Sequence, residues 1–166
     1  MIRKTLSPDA ALQRAEDLCA RSEQCTSEIQ AKLYTWGIGT SDSAKIIARL
    51  KQSRYIDDAR YARAFVRDKI QFARWGRRKI TAALTAKRID HDTIAAAIAD
   101  EASDTDLYMT NLLAALRSKA RSLDMPLTRD DRDRLIRFAA SRGYEPQLIL
   151  KAIRNICSSD EDSMVD

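Results

Sequence analysis

The sequence predicts an all-α protein of tandem three-helix repeats, three copies and about nine helices, forming an elongated array whose curvature is left open. Three observations lead there. Apolar residues recur at helical spacing through almost every segment, with no convincing two-residue alternation. Only 4 Gly and 3 Pro occur in 166 residues, too few for a turn-rich β architecture. One apolar pattern also returns twice, at offsets of 51 and 55 residues.

Ser7 before Pro8 reads as an N-cap followed by proline at the first helical position. Ala11, Leu12, Ala15, Leu18 and Cys19 then mark a helix over about 8–22. Thr26 is expected to cap a second helix, with Ile29, Leu33 and Trp36 inward and Gly37 as its stop. Ser41 would cap a third, with Ile46, Ile47, Leu50 and later Tyr55 apolar. Asp57 and Asp58 put negative charge at the start of a fourth, where it suits the helix macrodipole, and this helix is expected to reach Trp75-Gly76. A fifth follows over 77–88, a sixth over about 92–102 and a seventh over about 105–123. Met125-Pro126 breaks the chain. Thr128 caps an eighth helix, with Asp130, Asp131 and Asp133 crowding its first turn and Gly143 ending it. Pro146 opens a ninth, to about Cys157.

The second, fifth and eighth helices align. Ile29 and Leu33 followed by Trp36-Gly37-Ile38 match Ile80 and Leu84 followed by Lys87-Arg88-Ile89, and Leu135 and Ala139 followed by Arg142-Gly143-Tyr144. The next helix repeats a spaced pair: Ile46 and Leu50, Ile94 and Ile98, Ile149 and Ile153. The implied repeats are 8–56, 57–103 and 104–157, with 158–166 an acidic tail expected to be disordered. A unit of about 50 residues is marginal alone, so neighbours are expected to pack along a row.

The formal net charge of +5 averages unlike parts. Residues 158–166 hold four acids and no base, which leaves +9 on 1–157. Residues 54–93 alone carry 11 Lys/Arg against 5 Asp/Glu. Such a basic patch is the footprint expected for a polyanion or an acidic protein surface. No stretch approaches about 18 uninterrupted apolar residues, so no membrane partner is expected. The N-terminus lacks the apolar run of a signal peptide, which reads as cytoplasmic. Cys19, Cys25 and Cys157 include no C-x-x-C pair, and the sole histidine, His91, is remote in sequence. No metal or other cofactor is therefore expected, and the thiols should be reduced.

The fourth helix is the most informative. At about 100° per residue, Arg60, Arg63, Arg67 and Arg74 fall within an arc of about 60°. The opposite half is apolar, with Tyr61, Ala62, Phe65, Val66, Phe72 and Ala73, interrupted by Lys69, which is expected to snorkel along it. Arg77, Arg78 and Lys79 follow Gly76. Aligned like charges destabilise an isolated helix by about 0.2–0.5 kcal/mol per close pair, and Asp68 lies too far round to relieve them. A purely structural helix more often intersperses acids on such a face. The stripe is therefore read as a surface for a polyanion or acidic partner in preference to a solvated face; arginine's planar fork suits phosphate and carboxylate alike. Tyr61 and Phe72, at the edge of the apolar arc, are candidates for stacking on a base. Trp36, Trp75, Phe65 and Phe138 are read as packing residues.

The run Tyr55-Ile-Asp57-Asp58-Ala-Arg60-Tyr61-Ala62-Arg63-Ala-Phe65-Val-Arg67 resembles the signature of the RecX family of bacterial recombination regulators. Gly76, Lys79, Ile80 and Leu84 fit its continuation, so the signature positions here are Asp57, Asp58, Tyr61, Ala62, Arg63, Gly76, Ile80 and Leu84. Ala20-Arg21-Ser22 with Glu28-Ile29 and Leu33 resembles the family's first repeat, and the third matches mainly by helix pattern. The family usually has Lys-Gly-Ile where this chain has Lys87-Arg88-Ile89. Either the turn differs there, or Arg88 takes the strained left-handed geometry that glycine adopts freely.

The resemblance implies a non-enzymatic protein that binds RecA filaments along their groove. It would inhibit strand exchange, ATP hydrolysis and coprotease activity, in homologous recombination and the SOS response. The implied partners are the RecA filament and single- or double-stranded DNA, met directly or through the filament, by a monomer. Arg60, Arg63, Arg67, Arg74, Arg77, Arg78, Lys79 and Lys87 become the candidate RecA or DNA contacts. Two other readings remain beside it. A stand-alone DNA-binding module fits the helix, glycine turn and helix of 26–50, but 41–53 offers few base-reading side chains near its start. An enzyme would need Asp57-Asp58 or Asp130, Asp131 and Asp133 as magnesium ligands, and capping already explains carboxylates at helix starts.

Overall fold

In a computed structural model, which describes residues 6–124 and 126–161, nine helices and no strand occur among the described residues. They are α1 (Pro8–Arg21), α2 (Thr26–Thr35), α3 (Thr40–Gln52), α4 (Asp58–Gln71), α5 (Arg77–Ala86), α6 (His91–Glu101), α7 (Thr105–Ala120), α8 (Arg129–Ser141) and α9 (Pro146–Glu161). Helix count and order agree with the pattern of apolar positions. The aligned residues are core: Ile29, Leu33, Ile80, Leu84, Leu135 and Ala139 are all buried.

Several termini differ from the sequence expectation, each for a local reason. Ser7 caps α1 as expected, accepting from the Ala10 N–H at 3.3 Å. The N-cap of α2 is Cys25, whose N–H is taken by Glu28 at 3.2 Å; Thr26 is already helical. The N-cap of α3 is Gly39, not Ser41. Thr128 does cap α8, in a reciprocal box with Asp131. α9 runs on to Glu161, past the expected end at Cys157, so the first residues assigned to a disordered tail are helical. Residues 162–166 of that tail lie outside the described residues.

The largest correction concerns α4, which ends at Gln71 instead of Trp75-Gly76. Arg74 adopts φ 52°, and the Trp75 N–H reaches back to the Lys69 carbonyl at 2.9 Å, a left-handed helix stop. Arg74 is therefore not on the helical stripe. The second, fifth and eighth helices all finish the same way, with positive φ at Gly37 (79°), Arg88 (60°) and Gly143 (90°). The glycine-less copy thus keeps the turn and strains Arg88, the second of the two outcomes considered.

The chain divides into two compact units: 1–62 with 85–94, and 63–84 with 95–166. Compactness therefore does not follow the 56/57 and 103/104 boundaries of the sequence repeats, and α4 contributes to both units. In the first unit α1 and α2 pack on α3, around Ala11, Ala15, Ile29, Leu33, Ile38, Ile47, Leu50 and Ile56. In the second, α7, α8 and α9 pack mutually around Tyr108, Leu112, Leu116, Leu135, Tyr144, Ile149 and Ala152.

Candidate functional site

In the first unit the signature residues of α4 hold the start of α2. Asp58 accepts from the Thr26 N–H at 2.8 Å and from Thr26 Oγ1 at 2.7 Å, supplying a tertiary cap to two donors of that helix end. Asp57 caps α4 itself, accepting from the Arg60 N–H at 2.9 Å. Tyr61 is buried, and its hydroxyl donates to Glu28 Oε1 at 3.3 Å. That corrects its candidacy for base stacking: the ring has no face left for a base. Lys87 donates to the same Glu28 oxygen and lies 5.7 Å from the Tyr61 ring centre. Burial pushes the Glu28 carboxyl up, but Lys87 and the Cys25 N–H outweigh it, and the net shift is downward. Ser27 Oγ adds a 2.6 Å bond to the Lys87 carbonyl.

Arg60 is engaged within the same unit. Its Nε donates to Glu23 at 2.7 Å, and its Nη2 to the carbonyls of Arg54 (3.2 Å) and Tyr55 (3.4 Å). Acids thus do meet the stripe, but they come from outside α4, here from Glu23 just past the end of α1. The same holds in the second unit, where Arg67 forms a bidentate pair with Glu101 at 2.7 and 2.8 Å. That guanidinium, with Arg63 nearby, holds the Glu101 carboxyl below its ordinary range.

Gly76 and Arg77 anchor α5 to the end of α8. The Gly76 N–H donates to the Arg142 carbonyl at 2.8 Å and the Arg78 N–H to the Gly143 carbonyl at 3.0 Å. A Cβ on Gly76 would stand 2.2 Å from Gly143 C, which explains why this signature position is glycine. The Arg77 N–H donates to Tyr108 Oη at 2.8 Å, and that hydroxyl donates to Glu145 at 2.9 Å. The Arg77 side chain bonds the Ala102 carbonyl at 2.7 Å and pairs with Glu145 at 3.5 Å.

Of the eight predicted cationic contacts, Arg60, Arg67, Arg77 and Lys87 are therefore ion-paired inside the chain. Arg63, Arg74, Arg78 and Lys79 have no ion pair among the described residues. Lys79 Nζ lies 4.3 Å from the Trp75 ring centre, and Lys69, as expected, lies along aromatic surface, 5.2 Å from Phe65 and 5.5 Å from Trp75. Asp131 is occupied by its cap, which also lowers its carboxyl pKa.

The sequence reading missed a cleft of about 530 Å³ lined by Gln71, Phe72, Ala73, Arg74, Ala115, Ser118, Lys119, Phe138 and Arg142. Phe72 is 80% exposed at its rim. Arg142 donates to the Ala73 carbonyl at 3.2 Å and lies 5.3 Å from the Phe138 ring centre. Tyr144 Oη donates to the Arg74 carbonyl at 3.0 Å, which fixes the left-handed turn beside the cleft. Among the described residues no helix is long and apolar enough to cross a membrane.

The model of "RecX, second three-helix domain" matches residues 57–98, the segment carrying the α4 stripe and the turns around Gly76 and Arg88. The chain is 29% identical over 144 residues to the regulatory protein RecX of Thermus thermophilus, covering 87% of this chain and 90% of that one. It is 30% identical over 138 residues to the regulatory protein RecX of Chromohalobacter salexigens, covering 82% and 86%. The crystal structure of RecX from Lactobacillus salivarius superposes with a TM-score of 0.79 at 18% identity, over 89% of this chain and 95% of that one, and shares the fold. With the signature residues in place, the helices matching and the identity spread over most of both chains, this protein belongs to the RecX family.

Proposed function

We propose that the chain binds the RecA nucleoprotein filament and lowers its recombinase, ATPase and coprotease activities, in homologous recombination and the SOS response. It acts without catalysis of its own. The observation that carries the reading is that Arg63, Arg74, Arg78 and Lys79, inside the matched segment, form no ion pair among the described residues. Cations without an internal ion pair leave positive charge that an anionic partner can meet without breaking an existing bond. Acidic RecA surface and filament phosphates both meet this description. Arg60, Arg67, Arg77 and Lys87 serve first to hold the scaffold.

Titration of the chain into RecA turning over ATP on single-stranded DNA tests the proposal. ATP hydrolysis should fall as the chain approaches stoichiometry, and no effect at any ratio refutes it. Arg63→Glu with Arg78→Glu should weaken the effect while leaving the helical melting curve in place. Arg67 is left unchanged because a carboxylate there would face Glu101. Full inhibition by the double variant removes the arginine group from the explanation.

A further inference from the structure

We infer that the cleft beside Phe72 is a binding site for single-stranded nucleic acid, taking one unpaired base against Phe72 and its phosphates against Arg74, Lys119 and Arg142. The charge of the cleft carries the first half of this. Three cations line it and no carboxylate does. None of the three has an ion pair among the described residues, whereas Arg67 and Arg77 in the same unit are both neutralised internally. The cleft thus gathers three cations with no carboxylate in its lining, and an anion is the complementary occupant.

The aromatic rim carries the second half. A phenylalanine side chain that is 80% exposed gains little from burial in the fold, and Phe72 shares the cleft lining with three cations as well as with Ala115 and Phe138. Base faces stack on such rings whatever their sequence. A base within a duplex has both faces covered and cannot reach the ring, so the geometry favours a single strand. The volume of about 530 Å³ lies within the range of about 300–1,000 Å³ that holds small ligands, enough for one nucleotide unit.

The cations are placed and not adventitious. Arg142 is pinned by the Ala73 carbonyl at 3.2 Å and packs along Phe138, which leaves further N–H groups of its fork for a ligand. Lys119 Nζ lies 5.7 Å from the centre of the same ring. Arg74 is presented by the left-handed turn that Tyr144 Oη secures at 3.0 Å. Burial pushes the Tyr144 hydroxyl up to about 12, and the positive charges of Arg142 and Arg74 act against that rise, a sign of their common potential at this turn. An acidic peptide would satisfy the cations but leave Phe72 unused.

Contact with the DNA strand of a filament would place the cleft within the function proposed above, on which its biological setting rests. The two can fail separately, because the assay below contains no RecA. Fluorescence anisotropy of the full chain with labelled oligothymidylate, with an abasic oligomer of equal length, and with a hairpin duplex tests the site. Phe72→Ala should weaken oligothymidylate binding about 5- to 150-fold, the worth of one stacked base. The abasic oligomer should bind the unaltered chain as weakly as oligothymidylate binds Phe72→Ala, and the substitution should cost nothing further on it. Lys119→Gln should lower the slope of log affinity against log salt by about 0.7, one phosphate contact on a single strand. Unchanged affinity of Phe72→Ala, equal loss on the abasic oligomer, or duplex bound as tightly as single strand each overturns the assignment. So does polyglutamate binding that is lost with the same two substitutions, which would make an acidic peptide the occupant.

Discussion

Replacing Gly76 by alanine tests a close backbone approach in the second unit. The new Cβ would stand 2.2 Å from both C and O of Gly143 and 2.3 Å from the Tyr144 nitrogen. Ordinary contact begins at 3.4 Å, so the strands of backbone must part by about 1.2 Å, and no flexible side chain is there to give way. That displacement breaks the 2.8 Å bond from the Gly76 N–H to Arg142 O and the 3.0 Å bond from the Arg78 N–H to Gly143 O. Each bond contributes about 0.5–1.5 kcal/mol, and overpacking adds about 1–3 kcal/mol. The total is about 2–6 kcal/mol, which at about 2–4 °C per kcal/mol for a chain of this size lowers Tm by about 4–24 °C. A far-UV circular dichroism melt measures it. Gly39→Ser is the control, since nothing lies within 4 Å of a Cβ there and serine can supply the N-cap side chain that α3 lacks; its Tm should hold or rise slightly. A Gly76→Ala melt within about 2 °C of the parent would refute the close approach of α5 to the α8–α9 turn.

Two further substitutions read other parts of the fold. Arg88→Gly should stabilise the chain by about 0.5–1 kcal/mol, because relief of left-handed strain of about 1–2 kcal/mol exceeds the extra entropy glycine brings to the unfolded chain; a lower urea midpoint would contradict the φ of 60° at this position. Glu28→Gln should flatten the acid limb of stability. The Glu28 carboxyl is held below its ordinary 4.5, so its contribution is fully present above that pH and is lost as pH falls through the lower folded value. Urea midpoints across the acid range should therefore fall more steeply for the parent than for Glu28→Gln, and parallel curves would show that Lys87 and the Cys25 N–H do not favour the charged form.

The fold was legible because its signals are local. Apolar spacing placed Ile29, Leu33, Ile80, Leu84 and Leu135, and glycine marked the stops at Gly37 and Gly143, while the glycine-less copy at Arg88 was left open between two outcomes that only the structure separates. What escaped was tertiary. The stop of α4 depends on Asn111 donating to the Ile70 carbonyl at 3.1 Å, Arg142 to Ala73 and Tyr144 to Arg74, from partners 41 to 70 residues away. No property of 58–76 announces them, so the helical wheel carried Arg74 one turn too far. The burial of Tyr61 and the cap that Asp58 lends to Thr26 are of the same kind. Phe72 stood at the edge of the apolar arc in the sequence and is 80% exposed, but Lys119 on α7 and Arg142 at the end of α8, which share its cleft, lie where the charge count gave no reason to look.

Those remote partners also change what the arginine stripe means. A guanidinium already forked onto a carboxylate can serve a phosphate only by exchange, giving up one charge-assisted bond for another and returning an uncompensated carboxylate to solvent. Arg60 and Arg67 therefore add little affinity for an anion, although both remain partly exposed. Arg63, Arg74 and Arg78 would surrender no such bond to an anion. Four glutamates take four of the eight candidate cations as internal partners: Glu23 beyond the end of α1, Glu28 at the start of α2, Glu101 at the end of α6 and Glu145 before α9. Under the proposed function, Arg74, Arg78 and Lys79, around the end of α4 and the start of α5, would be left to meet the partner. That is where the backbone is most firmly tied, by Gly76 against Gly143 and by Tyr144 on the Arg74 carbonyl. Rigid presentation there means that little side-chain and loop entropy remains to be lost on binding, the condition under which a few cations give useful affinity.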